Sequence, residues 1–310
     1  MTAITTPTVA VRPEPVGKKL ATTLGTTRGK ALVWVIAIFW TVPTFGLLVT
    51  SLRPERQIKN SGWWTAFSHP KFTLDNYSSV LGSKSGISLG TYFLNSVKIS
   101  VPATIISVCI ASLAAYAFSW MNFKGRDWLF TAVVALLVVP LQMAIVPVLR
   151  LFLKGAHIGS IPILPSLHLS NSVVVVWIAH AIFGMPFCVF MLKNFISAIP
   201  SDLIEASKID GAGHLTVFSR VILPLSMPAL ASLSIFQFLF IWNDFFVGKV
   251  FGGDKNGPIT AKLVQVSGNR GQDWHLLTSA AFISMIVPLI VFFSLQRFFV
   301  RGLLAGSVKG

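Results

Sequence analysis

Six long runs of apolar residues, separated by short polar segments, dominate the chain. The runs cover approximately residues 31–51, 94–120, 128–153, 172–196, 222–248 and 277–297, and each is bounded by charged or turn-forming residues. A helix needs about 20 apolar residues to cross a hydrocarbon core of roughly 30 Å. The pattern therefore predicts an all-α protein with six membrane-spanning helices, and an even number of crossings places both termini on the same side of the membrane.

Composition supports an integral membrane protein. Hydrophobic residues make up 54% of the 310 residues and charged residues only 11%, and the mean hydropathy is +0.74. Such a chain has too few polar side chains to cover the surface of a water-soluble domain. We divide it into a tail over residues 1–30, a six-helix transmembrane domain over residues 31–301 and a C-terminal tail over residues 302–310.

The distribution of basic residues bears on the orientation of the chain. Residues 1–30 are basic and rich in Thr and Pro, and they lack the apolar core of a cleaved signal peptide, so we predict a flexible cytoplasmic tail. Basic residues are only slightly more frequent on the tail's side than on the opposite side. Because the first helix usually dominates orientation, the tail favours cytoplasmic termini.

The net charge of +15 does not indicate nucleic-acid binding, because the basic residues are scattered over loops on both sides with no continuous stripe. Attraction to anionic membrane lipids explains it better. The six histidines form no close pair and have no Cys or Glu at ligand spacing, so a metal site is not expected. The segment "GTTRGKA" has three residues between its glycines and Ala where a phosphate-binding loop needs Ser or Thr, so we expect no ATP or magnesium in this chain.

Proton-driven transport is also not favoured by the sequence. His180 is the one ionisable residue that lies well inside an apolar run, whereas proton-coupled carriers place carboxylates or histidines at mid-membrane. An interhelical hydrogen bond is the simpler role for His180. A self-contained channel or carrier and a membrane-embedded enzyme remain the alternative classes, although we find neither an internal repeat nor a catalytic constellation.

The most informative polar segment is "DLIEASKIDGAGHLTVFSRVILP", residues 202–224, between the fourth and fifth runs. Asp202 is a candidate helix cap, with Glu205 three residues later as in a capping box. Gly211 to Gly213 allows a sharp turn, since glycine accepts positive φ. A second apolar face then follows, carried by Leu215, Phe218, Val221 and Ile222. The pattern predicts a compact helix-turn-helix that can dock into a groove on a soluble partner.

The same segment resembles the EAA loop of bacterial ABC importer permeases, which reads Glu-Ala-Ala, three residues, Gly, nine residues, Ile, one residue, Leu-Pro. The matching residues are Glu205, Ala206, Ser207, Gly211, Val221, Leu223 and Pro224. Ser207 and Val221 depart conservatively from the pattern. The segments "SLRPERQI", "NYSSVL", "AAYAFSWMNFKGRD", "FLFIWNDF" and "QRFFVRGLLAGSVKG" follow in the order seen in the second permease of maltose-type sugar importers.

This resemblance covers nearly the whole chain from about residue 30, and it implies an ABC type I importer permease fold with a cytoplasmic coupling helix in loop 198–224. It implies a bacterial cytoplasmic membrane location and import of a di- or oligosaccharide. It also implies a homologous permease as heterodimer partner, two ATPase subunits that bind ATP and magnesium, and an extracytoplasmic sugar-binding protein.

Two groups of residues receive roles from the resemblance. In the coupling loop Glu205 is the polar anchor, Ala206 the close contact and Gly211 the turn; Ser207, Leu223 and Pro224 complete the motif. The tail residues Gly306, Val308 and Lys309 are expected to reach between the ATPase subunits.

The fifth run offers Gln237, Trp242 and Asn243 as candidates for the sugar path, since sugars are held by aromatic faces and amide groups. Trp242 and Asn243 could instead belong to an interfacial belt, and the partner permease could hold the sugar.

Overall fold

The computed structural model describes residues 25–82, 88–158, 161–166, 171–266 and 273–307, with the backbone alone for residues 295 and 297–307. The chain divides into two compact units, residues 1–73 and residues 74–310. The first unit contains helix α1 (Thr27–Ser51), the short helix α2 (Glu55–Asn60) and a 3-10 turn (Trp63–Ala66).

Helix α1 begins at a polar N-cap, and the residues that follow it pack against its C-terminal end. The side chain of Thr26 accepts a hydrogen bond from the backbone N–H of Gly29 at 3.1 Å. After α1, the buried guanidinium of Arg53 donates to the carbonyl of Gly62 at 2.9 Å and holds the following segment together. Trp63 packs on Gly46, where a Cβ would come within 2.7 Å of the indole nitrogen. The residues after α1 therefore fold back onto the end of the helix.

The second unit is almost entirely helical. Its helices before loop 198–224 are α3 (Asp75–Leu81), α4 (Leu89–Trp120), α5 (Arg126–Ala135, extended by a 3-10 turn Leu136–Val138), α6 (Leu141–Lys154) and α7 (Val173–Ile196). The later helices are α8 (Ser201–Ile209), α9 (His214–Val217, continued by a π-helical turn Phe218–Ile222), α10 (Leu223–Leu225), α11 (Met227–Asn243), α12 (Phe246–Gly252), α13 (Ile259–Val266) and α14 (Trp274–Ser307).

A small β-hairpin, which the all-α prediction did not include, follows α6. Strand β1 (Ala156–Ile158) pairs antiparallel with β2 (Ile161–Leu164), and Ile158 lies opposite Ile161. Gly155 precedes β1 with φ at +69°, and a Cβ there would lie 2.2 Å from the carbonyl oxygen of Leu164. The hairpin therefore depends on glycine at this position.

Membrane-spanning helices agree with the predicted runs in number but not in shape. Within the described residues, α1, α4, α7 and the Trp274–Ser294 part of α14 are long and apolar enough to cross a membrane. The third and fifth runs are each a pair of helices, bent by 112° between Val138 and Leu141 and by 75° between Leu225 and Met227. There are therefore four straight candidates, or six spans if each bent pair counts as one.

Proline explains both bends. Pro140 caps α6, and its ring disfavours a helical conformation at the preceding residue. In the fifth run, Pro228 lies in the first turn of α11 and cannot donate a backbone hydrogen bond across the break at Ser226. The fifth run, predicted over residues 222–248, is therefore broken at Ser226, and α11 ends at Asn243, where Asp244 adopts an extended backbone.

Close packing of α4 against α7 forms the centre of the second unit. Small residues recur on the buried face of α4 at helical spacing: Ser96, Ser100, Ala103, Ser107, Ala111 and Ala115. Such residues let two backbones approach closely inside a membrane. Two indole groups link the helix pair at its ends, since Trp177 donates to the carbonyl of Lys98 at 2.7 Å and Trp120 to the carbonyl of Ile196 at 3.3 Å.

Gly184 is the point where α11 approaches this pair. A Cβ on Gly184 would lie 2.2 Å from Nε2 of Gln237, and this nitrogen donates to the hydroxyl of Ser107 at 3.3 Å. The Gln237 carbonyl oxygen accepts from the thiol of Cys188 at 3.4 Å. Helix α7 continues through Gly184 without a break. Glycine here makes room for a buried polar side chain and does not bend the helix.

We expect Gly184→Ala to destabilise the protein by about 1–3 kcal/mol, because the new methyl group displaces the Gln237 amide. Gln237→Ala should cost a similar amount by leaving Ser107 and Cys188 without their partner. The double variant should be less destabilised than the sum, since the methyl group then fills the vacated space. Thermal unfolding of the four proteins in one detergent checks this cycle, and simple additivity would contradict the packing described.

Helix α14 extends beyond the predicted sixth run. Its backbone is helical from Trp274 to Ser307, so the tail assigned to residues 302–310 begins as a continuation of this helix. Gly306 lies in its last turn, whereas Val308 and Lys309 lie outside the described residues. The role of the tail stays a prediction.

Candidate functional site

The predicted helix-turn-helix occupies loop 198–224. Helix α8 runs along one side, Gly211 turns the chain, and α9 with its π-helical continuation leads into the bent fifth run. Pro224 has no backbone N–H, and the π-helical turn before it accommodates the interrupted hydrogen-bond ladder. Leu223 is half-buried and Pro224 is exposed at this junction.

The start of α8 differs from the predicted capping box. Pro200 occupies the N-cap position, and no side chain caps the helix. Asp202 lies within the first helical turn, where its carboxylate accepts a hydrogen bond from the hydroxyl of Ser201 at 3.3 Å. The prediction that Asp202 caps the helix was wrong, because proline ahead of Ser201 already fixes the backbone of the cap. The carboxylate still interacts favourably with the positive end of the helix.

One face of the loop is anchored in the hydrophobic core. Ile204, Val217 and Ile222 are each 1% exposed or less, and they belong to one buried cluster with Tyr116 and Ile196. The apolar face predicted for the second helix is partly confirmed, since Ile222 is buried and Phe218 and Val221 are half-buried. Leu215, however, is 77% exposed, and Val217 is buried in its place. The loop is thus a fixed platform.

The opposite face of the loop is exposed and mixed in character. Leu203, Ile209 and Leu215 present large apolar side chains to the outside, beside the exposed residues Glu205 and Ala206. Within the described part of the chain, no hydrogen bond or ion pair engages the Glu205 carboxylate. Exposed apolar side chains around a charged residue are typical of a surface that docks into a groove on another protein.

The turn between the two helices has the geometry of a Schellman motif. The N–H of Gly211 donates to the carbonyl of Lys208 at 3.0 Å, and the N–H of Ala212 donates to the carbonyl of Ser207 at 3.0 Å. Gly211 has φ at +81°, and a Cβ there would meet nothing within 4 Å. The requirement for glycine is therefore purely conformational. Ser207 also donates through its hydroxyl to Leu203 at 2.7 Å, within α8.

A hydrogen bond that the sequence did not indicate fixes the second helix of the loop. The hydroxyl of Tyr116, near the end of α4, lies 2.9 Å from Nδ1 of His214, the first residue of α9. The Tyr116 ring also contacts Phe218, with ring centroids 5.4 Å apart. Because 98 residues separate the two partners, no local pattern could have revealed this contact.

The three residues predicted for a substrate path are separated by the structure. Gln237 is 2% exposed inside the helix packing, and Trp242 is 1% exposed with its indole N–H donating to the carbonyl of Ser284 at 3.1 Å. Asn243 is exposed instead and lines an open cavity of about 460 Å³ together with Phe240 and Asp244. Only Asn243 of the three faces an accessible space among the described residues.

His180 lies close to an acidic side chain that the sequence pattern did not indicate. Its Nε2 lies 3.8 Å from Oδ2 of Asp244, and the two side chains are 1% and 10% exposed. The Asp244 carboxylate also accepts from the backbone N–H of Gly248 at 2.9 Å, in the first turn of α12. This arrangement gives the pair a structural role where α7 meets the end of α11.

Comparison with known proteins agrees with the architecture. Residues 107–304 match the family described as "Binding-protein-dependent transport system inner membrane component". The chain is 51% identical over 283 residues to the osmoprotective compounds uptake permease protein GgtD of Synechocystis sp., covering 89% of this chain and 90% of that protein. It is 46% identical to the alpha-glucoside transport system permease protein AglG of Rhizobium meliloti, covering 85% of this chain and 67% of that protein.

The fold has counterparts among solved structures. A chain of the bacterial alginate ABC transporter, crystallised with an alginate pentasaccharide-bound periplasmic protein, superposes with a TM-score of 0.64 at 14% identity, covering 92% of this chain and 97% of that one. The expected type I importer permease fold is thereby confirmed. The family match over residues 107–304 and the two relatives together show that the chain belongs to the family of binding-protein-dependent transport system inner membrane components, as a multi-pass ABC transporter permease.

Proposed function

We propose that this chain is a translocation subunit of an ATP-driven sugar importer and that loop 198–224 couples it to the ATPase subunits. The observation that carries the proposal is the two-sided construction of the loop. Its inner face is buried through Ile204, Val217 and Ile222, whereas Glu205 and the apolar residues around it face outward. A platform of this kind can transmit a movement of its partner to α4 and α7 without deforming.

The proposed partners follow from this arrangement. A dimer of ATPase subunits, which bind ATP and magnesium, docks on the coupling loop on the cytoplasmic side, where both termini of the chain also lie. A homologous permease completes the translocation path, and an extracytoplasmic sugar-binding protein delivers the substrate. The periplasmic protein bound to the similar alginate transporter supports the last assignment. The C-terminal residues Gly306, Val308 and Lys309 reach between the ATPase subunits in this proposal.

A di- or oligosaccharide is the proposed substrate. Relatives of the chain are named for alpha-glucosides and, in the AraQ protein of Halalkalibacterium halodurans at 30% identity, for arabinooligosaccharides. The cavity beside Asn243 combines the aromatic residues Phe236 and Phe240 with polar groups, as sugar sites do. The relative named for osmoprotective compounds makes an osmoprotectant the second candidate.

Uptake by cells that carry the complete importer tests the substrate proposal. Radiolabelled maltose, sucrose, trehalose and glycine betaine should be compared with and without this chain. We expect chain-dependent uptake of at least one of the sugars and none of betaine. Chain-dependent uptake of betaine alone would overturn the sugar proposal in favour of a non-sugar osmoprotectant.

The exposed position of Asn243 leads to a specific prediction. We expect Asn243→Ala to change the relative uptake of different disaccharides by about threefold or more with little effect on thermal stability, since loss of one neutral hydrogen bond is worth about 1 kcal/mol. Gln237→Ala on the same helix is the matched control: it should lower stability and leave the sugar preference unchanged, because Gln237 is buried. An unchanged preference in Asn243→Ala would place the sugar on the partner permease.

A further inference from the structure

A cleft lies between the start of α5 and the end of α7, on the same side of the membrane as the coupling loop. Its volume is about 320 Å³. Two basic residues, Arg126 and Lys193, line it together with three hydroxyl side chains, Ser119, Thr131 and Ser197. Asp127 is the one acidic residue among those lining the cleft, so its net charge is positive. Such a combination suits a singly charged phosphate group.

Both cations are held in place by neighbouring groups. The Lys193 ammonium lies 4.9 Å from the centre of the Phe130 ring. Arg126 donates through Nε to Asp127 at 3.0 Å, and the Asp127 side chain is 90% exposed and well solvated. Nη1 of Arg126 makes only long contacts, 3.4 Å to Asn122 and 3.5 Å to the carbonyl of Met121. Among the residues described, Nη2 has no hydrogen-bonding partner, so the guanidinium retains donors for a ligand.

The hydroxyl groups bridge the wall of the cleft. The hydroxyls of Ser119 and Ser197 lie 3.0 Å apart and connect α4 with the residue that follows α7. One of these hydroxyls donates to the other, which leaves one proton available for a ligand oxygen. The hydroxyl of Thr131 donates to the backbone carbonyl of Asp127 at 2.8 Å, so toward a ligand it can act only as an acceptor. The cleft therefore offers a serine donor beside the two cations.

The position of the cleft relative to the membrane indicates which kind of molecule carries the phosphate. It lies where α4 and α7 end, next to the hydrogen bond from Trp120 to Ile196. Phe123 and Trp128 line an adjoining cavity that shares Arg126 and Asp127 with the cleft, and Trp128 is 76% exposed. Exposed Trp beside the ends of spanning helices is typical of the level of lipid headgroups. A phosphate group that binds at this level therefore belongs to a membrane lipid.

We propose that this cleft binds the phosphate of an anionic phospholipid headgroup, with Arg126 and Lys193 as the cationic contacts and Ser119 or Ser197 as a hydrogen-bond donor. A zwitterionic headgroup is disfavoured because its ammonium group would meet the net positive charge of the cleft. Basic pockets between helices on the cytoplasmic side of membrane proteins bind such headgroups. The site belongs to this chain alone and does not depend on the transported substrate.

Native mass spectrometry of the detergent-purified chain tests this proposal. Phosphatidylglycerol is titrated against phosphatidylcholine, and the apparent Kd is compared among the original protein and the variants Lys193→Gln, Arg126→Gln and Lys124→Gln. Lys124 is the matched control, because it is exposed on the loop between α4 and α5, close to Arg126 in sequence, and does not line the cleft. We expect about fivefold weaker phosphatidylglycerol binding for each charge removed from the cleft and less than a twofold change for Lys124→Gln.

Three outcomes would overturn the proposal. Equal weakening by Lys193→Gln and Lys124→Gln would show a diffuse attraction without a defined site. Displacement of phosphatidylglycerol by millimolar inorganic phosphate would identify a site for a free anion. Lys193→Arg keeps the charge and should retain binding, which separates a lost contact from a misfolded chain. Loss of binding in Lys193→Arg at unchanged helical circular dichroism would also contradict the assigned contact.

Discussion

Replacing Glu205 by lysine is expected to reduce ATP-driven uptake by at least about tenfold while the chain remains inserted in the membrane. Glu205 is exposed on the outer face of α8 and contacts no other charged residue in the described chain, so the substitution leaves the internal packing intact. Reversing a charge at the centre of a docking surface typically costs several kcal/mol of binding free energy. Uptake and the amount of ATPase that copurifies should therefore fall together.

The matched control for this variant is Glu55→Lys. It makes the same chemical change on an exposed short helix outside the coupling loop, where the residue forms an ion pair with Lys59. A pair of this type four residues apart contributes about 0.3–0.5 kcal/mol, so uptake should be nearly unchanged. Normal transport and normal ATPase copurification in Glu205→Lys would remove the basis for the coupling role of this residue.

Substitution of Gly211 by valine is expected to have the second large effect and to impair uptake more than substitution by alanine. The positive φ at Gly211 costs about 1–2 kcal/mol for an ordinary residue and more for a β-branched one. No neighbouring atom lies within 4 Å of the Cβ position, so a steric clash does not contribute. Uptake per inserted molecule should follow the order glycine, alanine, valine.

Gly213 provides a sharp control two residues away. It also has no atom near its Cβ position, but its φ of −72° and ψ of 166° are acceptable to any side chain. Gly213→Val should therefore transport at nearly the original rate. Equal impairment of Gly211→Val and Gly213→Val would indicate that the loop cannot accept side-chain volume, and the conformational explanation would be wrong.

Local sequence patterns predicted the parts of this protein that depend on local interactions. The apolar runs located every spanning segment, because hydrophobicity over about 20 residues is a property of the segment itself. Gly211 was identified as the turn because glycine next to a helix end commonly adopts positive φ.

The features that were missed depend on contacts between distant parts of the chain. Burial of Gln237 is possible because Gly184, on another helix, leaves space for its amide. His180 and Asp244 approach each other only after α7 and α11 have packed. The apolar face after Gly213 shifted from Leu215 to Val217 because α9 is oriented by its contact with Tyr116. None of these contacts leaves a periodic signal in a single sequence.

Reconstitution of the chain into proteoliposomes tests the central claim most directly. The vesicles should contain this chain, its partner permease and the ATPase subunits, with the loaded binding protein supplied on the opposite side. We expect sugar accumulation that requires ATP and the ATPase subunits and that is lost in Glu205→Lys but retained in Glu55→Lys. Accumulation in vesicles that lack the ATPase subunits, driven by an ion gradient or by the sugar gradient alone, would contradict the account.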